Sequence, residues 1–149
     1  MSRILIKLAF WSFQIINTIT ACLMTFIPKQ FHESLFKNHQ IVYDRLGMSN
    51  SVVEMFHNVI RGHGAVLLAV SVFIFIQGIR SRSVYLLIAL VCALSVYAHV
   101  MTLHQHLSSG EIVVAVDNFT SLYVTIFITA SVGILNGIVF FGWNNLKNK

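Results

Sequence analysis

Charged residues are scarce in this chain, and their scarcity excludes an ordinary soluble domain. Aspartate, glutamate, lysine and arginine make up 10% of the 149 residues, whereas about a quarter of a typical globular domain is charged. Apolar residue types make up 56%, and the mean hydropathy is +0.77. One proline and eight glycines leave little room for a disordered linker. The composition therefore predicts one membrane domain covering residues 1–149.

Cysteine is almost as rare as proline. Cys22 and Cys92 both lie inside apolar segments, and no Cys-x-x-Cys sequence is present, so neither redox nor zinc chemistry is indicated. In the helical arrangement predicted below, the two thiols lie at different depths in the membrane. We therefore expect no disulfide between them.

Acidic residues are also few, with five against ten lysines and arginines, which gives a net charge of +5. A basic protein can bind nucleic acid when its cations form a patch or a stripe. Here the cations stand at the ends of apolar segments instead. The expected partner is therefore the lipid bilayer, and nucleic acid is excluded.

Long apolar segments occupy most of the chain. A bilayer core of about 30 Å is crossed by about 20 helical residues, and four segments are long enough. The first has no small-residue cleavage site after it, so we interpret it as a retained helix rather than a signal peptide. The sequence predicts an all-α integral membrane protein, a bundle of four transmembrane helices at about 4–27, 52–77, 84–107 and 112–143.

The distribution of charge predicts the orientation of these helices. With four spans, both termini share one side of the membrane with the turn between helices 2 and 3. The positive-inside rule places that side in the cytoplasm, because it carries six cations and no acidic residue. The six cations are Arg3, Lys7, Arg80, Arg82, Lys147 and Lys149.

The outer loop between helices 1 and 2 contains a second helical pattern. Phe31, Leu35, Val42 and Leu46 recur near helical spacing, and Gly47 is a plausible helix stop. The pattern predicts a short amphipathic helix on the outer membrane surface. A solvated loop is the alternative.

Two capping boxes are predicted where the chain re-enters the membrane. Ser51 and Glu54 would open helix 2, and Ser108 and Glu111 would open helix 4. In a capping box the serine hydroxyl accepts from a backbone N–H of the first turn, and the glutamate bonds back to the cap. This structural role argues against catalysis by either glutamate.

The outer halves of helices 2, 3 and 4 carry the polar residues of the membrane segments. An arginine within a membrane helix is expected to face the protein interior and to hold a partner. We therefore predict a buried pair of Arg61 and Asp117 with hydrogen-bonded histidines around it. The predicted cluster comprises His57, Asn58, Arg61, His63, His99, His106 and Asp117.

The inner halves are nearly pure hydrocarbon by comparison. Ser71 is the one polar residue between Ala65 and Ile76. Trp11, Tyr85 and Trp143 fit an aromatic belt at the inner membrane interface.

One interpretation of the polar cluster is a structural network that holds the helices together. Another is that the cluster binds a ligand or a partner, and the function we predict is a non-enzymatic subunit or accessory protein. A partner would be another membrane protein or a second copy of this chain. Gly133 and Gly137 are four residues apart, a spacing that permits close helix contact with such a partner or within the bundle.

The alternative function is binding of b-type haem or of a metal ion for electron transfer. His63 and His99 lie at similar estimated depths on helices joined by a short turn, and two histidines can ligate haem iron. Nitrogen and oxygen ligands for a metal ion would come from His57, His99, His106 and Asp117. Proton or solute transport through Arg61 and Asp117 is the least favoured hypothesis, since the inner halves offer no polar path.

Overall fold

The computed structural model of the chain describes residues 2–35, 44, 47–109 and 119–147. Regular secondary structure within these residues is entirely α-helical. Four helices contain segments long and apolar enough to cross a bilayer, which supports an all-helical multi-pass membrane protein. The helices are α1 (Ser2–Phe26), α2 (Pro28–Leu35), α3 (Asn50–Gln77), α4 (Arg82–Ser109), α5 (Phe119–Phe141) and α6 (Trp143–Lys147).

Proline and glycine mark two of the helix boundaries. Pro28 is the first residue of α2, a position where its missing N–H costs nothing. Gly78 follows α3 with a φ of 71° and donates its backbone N–H to the Ile74 carbonyl at 3.0 Å. This left-handed conformation favours glycine, and α3 ends at Gln77 as predicted.

The two predicted capping boxes are wrong. The cap of α3 is Ser49, whose side chain makes no capping hydrogen bond, so Ser51 and Glu54 both lie inside the helix. Ser108 belongs to the last turn of α4 and therefore does not open the next helix.

Some predicted segments fall partly outside the described residues. The predicted fourth membrane helix, which begins at about residue 112, corresponds to α5. The structure describes α5 from Phe119, and Glu111 lies outside the described residues. At its other end, α5 stops at Phe141, and a turn at Gly142 separates it from α6. Phe31 and Leu35 lie in α2, whereas Val42 and Leu46 of the predicted amphipathic helix lie outside the described residues.

Most apolar side chains of the four long helices face away from the protein. Ile76 and Phe127 are each 73% exposed, and Phe141 is 81% exposed. A water-soluble monomer rarely exposes a continuous apolar surface of this kind. In a bilayer the same side chains contact lipid.

The long helices pack as two pairs, α1 with α3 and α4 with α5. In each pair a glycine lets the two backbones approach closely. A Cβ atom on Gly64 of α3 would lie 2.6 Å from Met24 Cβ and 2.8 Å from the Thr25 backbone nitrogen of α1. A Cβ atom on Gly133 of α5 would lie 2.8 Å from Cys92 Cβ of α4. A Cβ atom on Gly137 would have no neighbouring atom of another helix within 4 Å. Gly133 therefore packs inside the bundle, and both cysteines are free thiols.

The two pairs meet in one half of the bundle. Its core is built from the first half of α1, the end of α3, the start of α4 and the end of α5, with α6 against them. We call the end of the bundle beside this core the basic end, defined by Arg3, Lys7, Arg80 and Arg82. In the other half, none of the described side chains of residues 93–101 and 123–131 is fully buried. Packing between the pairs is therefore loose in that half.

Two of the aromatic residues predicted for a membrane belt belong to this core. Tyr85 is fully buried and Trp143 is 8% exposed, and their ring centroids lie 5.4 Å apart. The Tyr85 hydroxyl donates to the Ile79 carbonyl at 2.8 Å. Trp11, by contrast, is 45% exposed and can contact the interface. The prediction of a belt position was wrong for Tyr85 and Trp143, because aromatic residues at an interface and in a core have the same sequence signature.

Substitution of Gly64 by alanine should destabilise the α1–α3 pair. The added methyl group would collide with backbone as well as side-chain atoms, and overpacking of this kind costs about 1–3 kcal/mol. The measurement is the free energy of unfolding in mixed detergent. Gly62→Ala is the matched control, since nothing lies within 4 Å of a Cβ atom there. Equal free energies of unfolding for the two variants would contradict the close approach of α1 to α3 at Gly64.

Candidate functional site

The candidate site lies at the histidine end, defined by His57, Arg61 and His63 of α3 and His99 and His104 of α4. α3 has 28 residues, about eight more than a bilayer core requires. Counting about 20 residues back from Gln77 places the hydrocarbon boundary near Asn58. If the core is crossed from Gln77, Arg61 would lie about one turn inside this boundary, near the headgroups rather than deep in hydrocarbon.

Arg61 is exposed on the surface of α3, and the prediction that it is buried in the bundle is wrong. Its Nη1 donates to the Asn58 side-chain oxygen one turn away at 2.8 Å. The reason is depth, since a long arginine side chain near the boundary can reach the headgroups at little cost. Glu54, Asn58 and Arg61 share one face of α3, and all three are exposed. We call these three residues the Glu54 stripe.

The histidines do not form a buried cluster within the described residues. His63 and His104 are exposed, whereas His57 and His99 are half-buried. The His99 Nδ1 lies 2.6 Å from the Ser95 carbonyl oxygen, an acceptor, so Nδ1 must donate. In the neutral imidazole this bond leaves Nε2 as the nitrogen with a lone pair.

Asp117 of the predicted site lies outside the described residues. His106 lies in α4, but its side chain is not among those described. The ion pair of Arg61 with Asp117 therefore stays a prediction, as does a site that includes His106. Among the residues that the structure describes, no three His, Cys, Asp or Glu side chains come together as a metal site.

Buried polar contacts lie elsewhere, in the middle of the α1–α3 pair. Gln14 is 7% exposed, and its Nε2 donates to the Ser71 carbonyl at 2.9 Å. The Asn17 Nδ2 donates to the Ser71 hydroxyl at 2.6 Å and to the Leu67 carbonyl at 3.2 Å. This network was not predicted, because the hydrocarbon half of α3 is almost entirely apolar in sequence. Ser71, standing alone among apolar residues, was the available signal.

A second buried amide joins the helix pairs. Asn136 of α5 is fully buried, and its Nδ2 donates to the Ala9 carbonyl of α1 at 3.0 Å and to the Val132 carbonyl at 2.8 Å. Its Oδ1 and the Gln14 Oε1 have no hydrogen-bond partner within the described part of the chain. An asparagine inside a strongly apolar span indicates a helix contact, and the sequence analysis did not use it.

Two open grooves lie on the outside of the helix pairs. One, of about 440 Å³, runs between α1 and α3 and is lined by residues that include Trp11, Gln14 and Phe75. The other, of about 290 Å³, lies between α4 and α5 around Ala93 and Gly133. Both are apolar, and none of their lining residues belongs to the histidine end.

Comparison with known proteins yields no relative. No protein family matches the chain, and no curated protein or solved structure shows significant similarity to it.

Asn136→Ala should destabilise the protein more than Arg61→Gln. The first change removes a hydrogen bond between helices in hydrocarbon and should cost about 1–2 kcal/mol. The second changes an exposed side chain and should stay within about 0.5 kcal/mol of the parent. Unfolding in mixed detergent measures both. A larger loss in Arg61→Gln would show that Arg61 is a buried group after all.

Proposed function

We propose that this protein is a non-enzymatic subunit or accessory protein of a membrane complex, and that a partner protein docks on the Glu54 stripe. The proposal rests on one observation. Glu54, Asn58 and Arg61 are all exposed on one face of a helix that is long and apolar enough to cross a membrane.

The guanidinium of Arg61 supplies the strongest interaction for docking. It has five N–H donors, and the bond to Asn58 uses one of them. A carboxylate of a partner could accept two parallel hydrogen bonds from it. Near the hydrocarbon boundary the effective dielectric constant is lower than in water, which strengthens such an ion pair.

The charge pattern of the stripe favours a protein over a lipid as the occupant. Glu54 and Arg61 are seven residues apart, about 10 Å along the helix axis. An anionic headgroup suits Arg61 but is repelled by Glu54. A helix of another protein can present a carboxylate to Arg61 and a cation to Glu54. Because a second copy in the same orientation would place like residues at equal depth, a different protein fits better.

Arg61→Gln should dissociate the complex without unfolding this chain. We expect the parent to migrate as a complex larger than its monomer on native gels of mildly solubilised membranes. Loss of an arginine at the centre of an interface weakens binding by about 2 kcal/mol or more, roughly thirtyfold. Arg80→Gln is the matched control, because Arg80 is an exposed arginine at the opposite end.

Migration of the parent as a monomer would contradict the proposal. An unchanged complex in Arg61→Gln would also contradict it, since the stripe would then have no part in docking.

Haem binding by His63 and His99 is a second candidate function, favoured by the hydrogen bond of His99. Ligating histidines usually donate their other ring N–H to a carbonyl or a carboxylate, which fixes the tautomer. The contact of the His99 Nδ1 with the Ser95 carbonyl has this geometry. His63 is exposed on the adjoining helix of the chain, α3.

The visible absorption spectrum of the purified protein tests this second function. Bound haem gives a Soret band, which His99→Ala and His63→Ala should each abolish, whereas His104→Ala should retain it. Coordination of the haem iron by both histidines needs both side chains, so each of these variants lacks one axial ligand. A colourless protein after expression with added haem would rule the function out.

A further inference from the structure

The basic end of the bundle carries exposed charge of one sign. Arg3, Lys7, Arg80 and Arg82 are all exposed. The first turns of α1 reach this end because Leu5 and Ile6 pack on the same core as Ile79 and Phe140. The acidic residues of the described chain belong to segments at the histidine end, and they are Glu33, Asp44 and Glu54.

One of these cations is held in place by the neighbouring helix. The Arg82 Nε donates to the Phe140 carbonyl of α5 at 3.1 Å, and its Cζ lies 4.4 Å from the centre of the Phe140 ring. Stacking on an aromatic ring and a backbone bond fix the plane of the guanidinium. Its terminal amino groups remain as donors for an anion.

The turn that carries Arg80 and Arg82 is itself fixed. The hydroxyl of buried Tyr85 holds the Ile79 carbonyl at 2.8 Å, and the Ser81 backbone N–H donates to the Gly78 carbonyl at 3.3 Å. The hydroxyls of Ser81 and Ser83 lie 2.9 Å apart. One donates to the other, so the second keeps its own hydrogen for an acceptor outside.

We infer that the Arg80–Ser83 turn binds the phosphodiester group of an anionic glycerophospholipid. Two guanidinium groups and a hydroxyl on a rigid turn suit phosphate oxygens. Arg3 and Lys7 add positive charge at the same end, which selects a headgroup with a net negative charge over a zwitterionic one.

The surroundings of the turn favour a lipid over free phosphate as the source of this group. Large apolar side chains stand exposed directly beside it on three helices. Ile76 of α3 is 73% exposed, Leu86 of α4 is 38% exposed and Phe141 of α5 is 81% exposed. Acyl chains attached to the bound headgroup would cover these side chains, which a free phosphate ion could not do.

Tryptophan fluorescence provides the test, because both tryptophans of the chain, Trp11 and Trp143, lie in the half of the bundle beside the basic end. In a Trp11→Phe background, Trp143 alone reports quenching by lipids with brominated chains. Vesicles that mix brominated phosphatidylglycerol with phosphatidylcholine give the relative binding constant of the two lipids. We expect a relative binding constant on the order of 10 in favour of phosphatidylglycerol. In the double variant Arg80→Gln/Arg82→Gln this constant should fall to about 1.

Lys29→Gln at the other end is the control and should leave the constant unchanged. If the double variant does not fold, Arg80→Gln alone should still lower the constant severalfold, since the Arg80 side chain is exposed. No preference in the parent, or an undiminished preference in these variants, would overturn the inference. Displacement of the brominated lipid by inorganic phosphate beyond that by sodium chloride of equal ionic strength would identify a free-phosphate site and would overturn it too.

Discussion

Close contact between backbones and hydrogen bonds between helices hold this protein together, because hydrocarbon gives apolar helices little drive to associate. Gly64 allows α1 and α3 to touch, and Gly133 does the same for α4 and α5. Asn136 then bonds across the two pairs to Ala9. These contacts are few, and outside the core at the basic end many large apolar side chains face outward.

The two halves of the bundle differ as a consequence. The half with the buried core fixes a turn with two arginines and two serines, which suits recognition of a small anionic group. The half at the histidine end has exposed polar side chains on loosely packed helices, which suits a larger partner that contributes its own surface. The proposed lipid site at one end and the proposed protein interface at the other are thus compatible in one small chain.

The wrong sequence predictions concern the depth of side chains and the direction in which they point. Arg61 was predicted to be buried, and Tyr85 and Trp143 were predicted to face the interface, from distances along the helices. Residue number gives the depth of a side chain only where the membrane boundary is known, and α3 with its 28 residues is longer than the hydrocarbon core is thick. The sequence also gives little information on which face of a helix is buried. A helix that is apolar on all sides has no polar face from which the buried face could be identified.

The amino-acid sequence by itself determined the class of protein, the number of spans and the end of α3 at Gln77, because length, hydropathy and glycine act locally. It also confined the acidic residues to one of the two predicted sides, whereas cations occur on both. Only the tertiary structure decided which side chains are buried. Pairing of α1 with α3, burial of Gln14, Ser71 and Asn136, and exposure of Arg61 depend on how the helices rotate against one another. That rotation is set by packing between residues far apart in sequence, which no local pattern records.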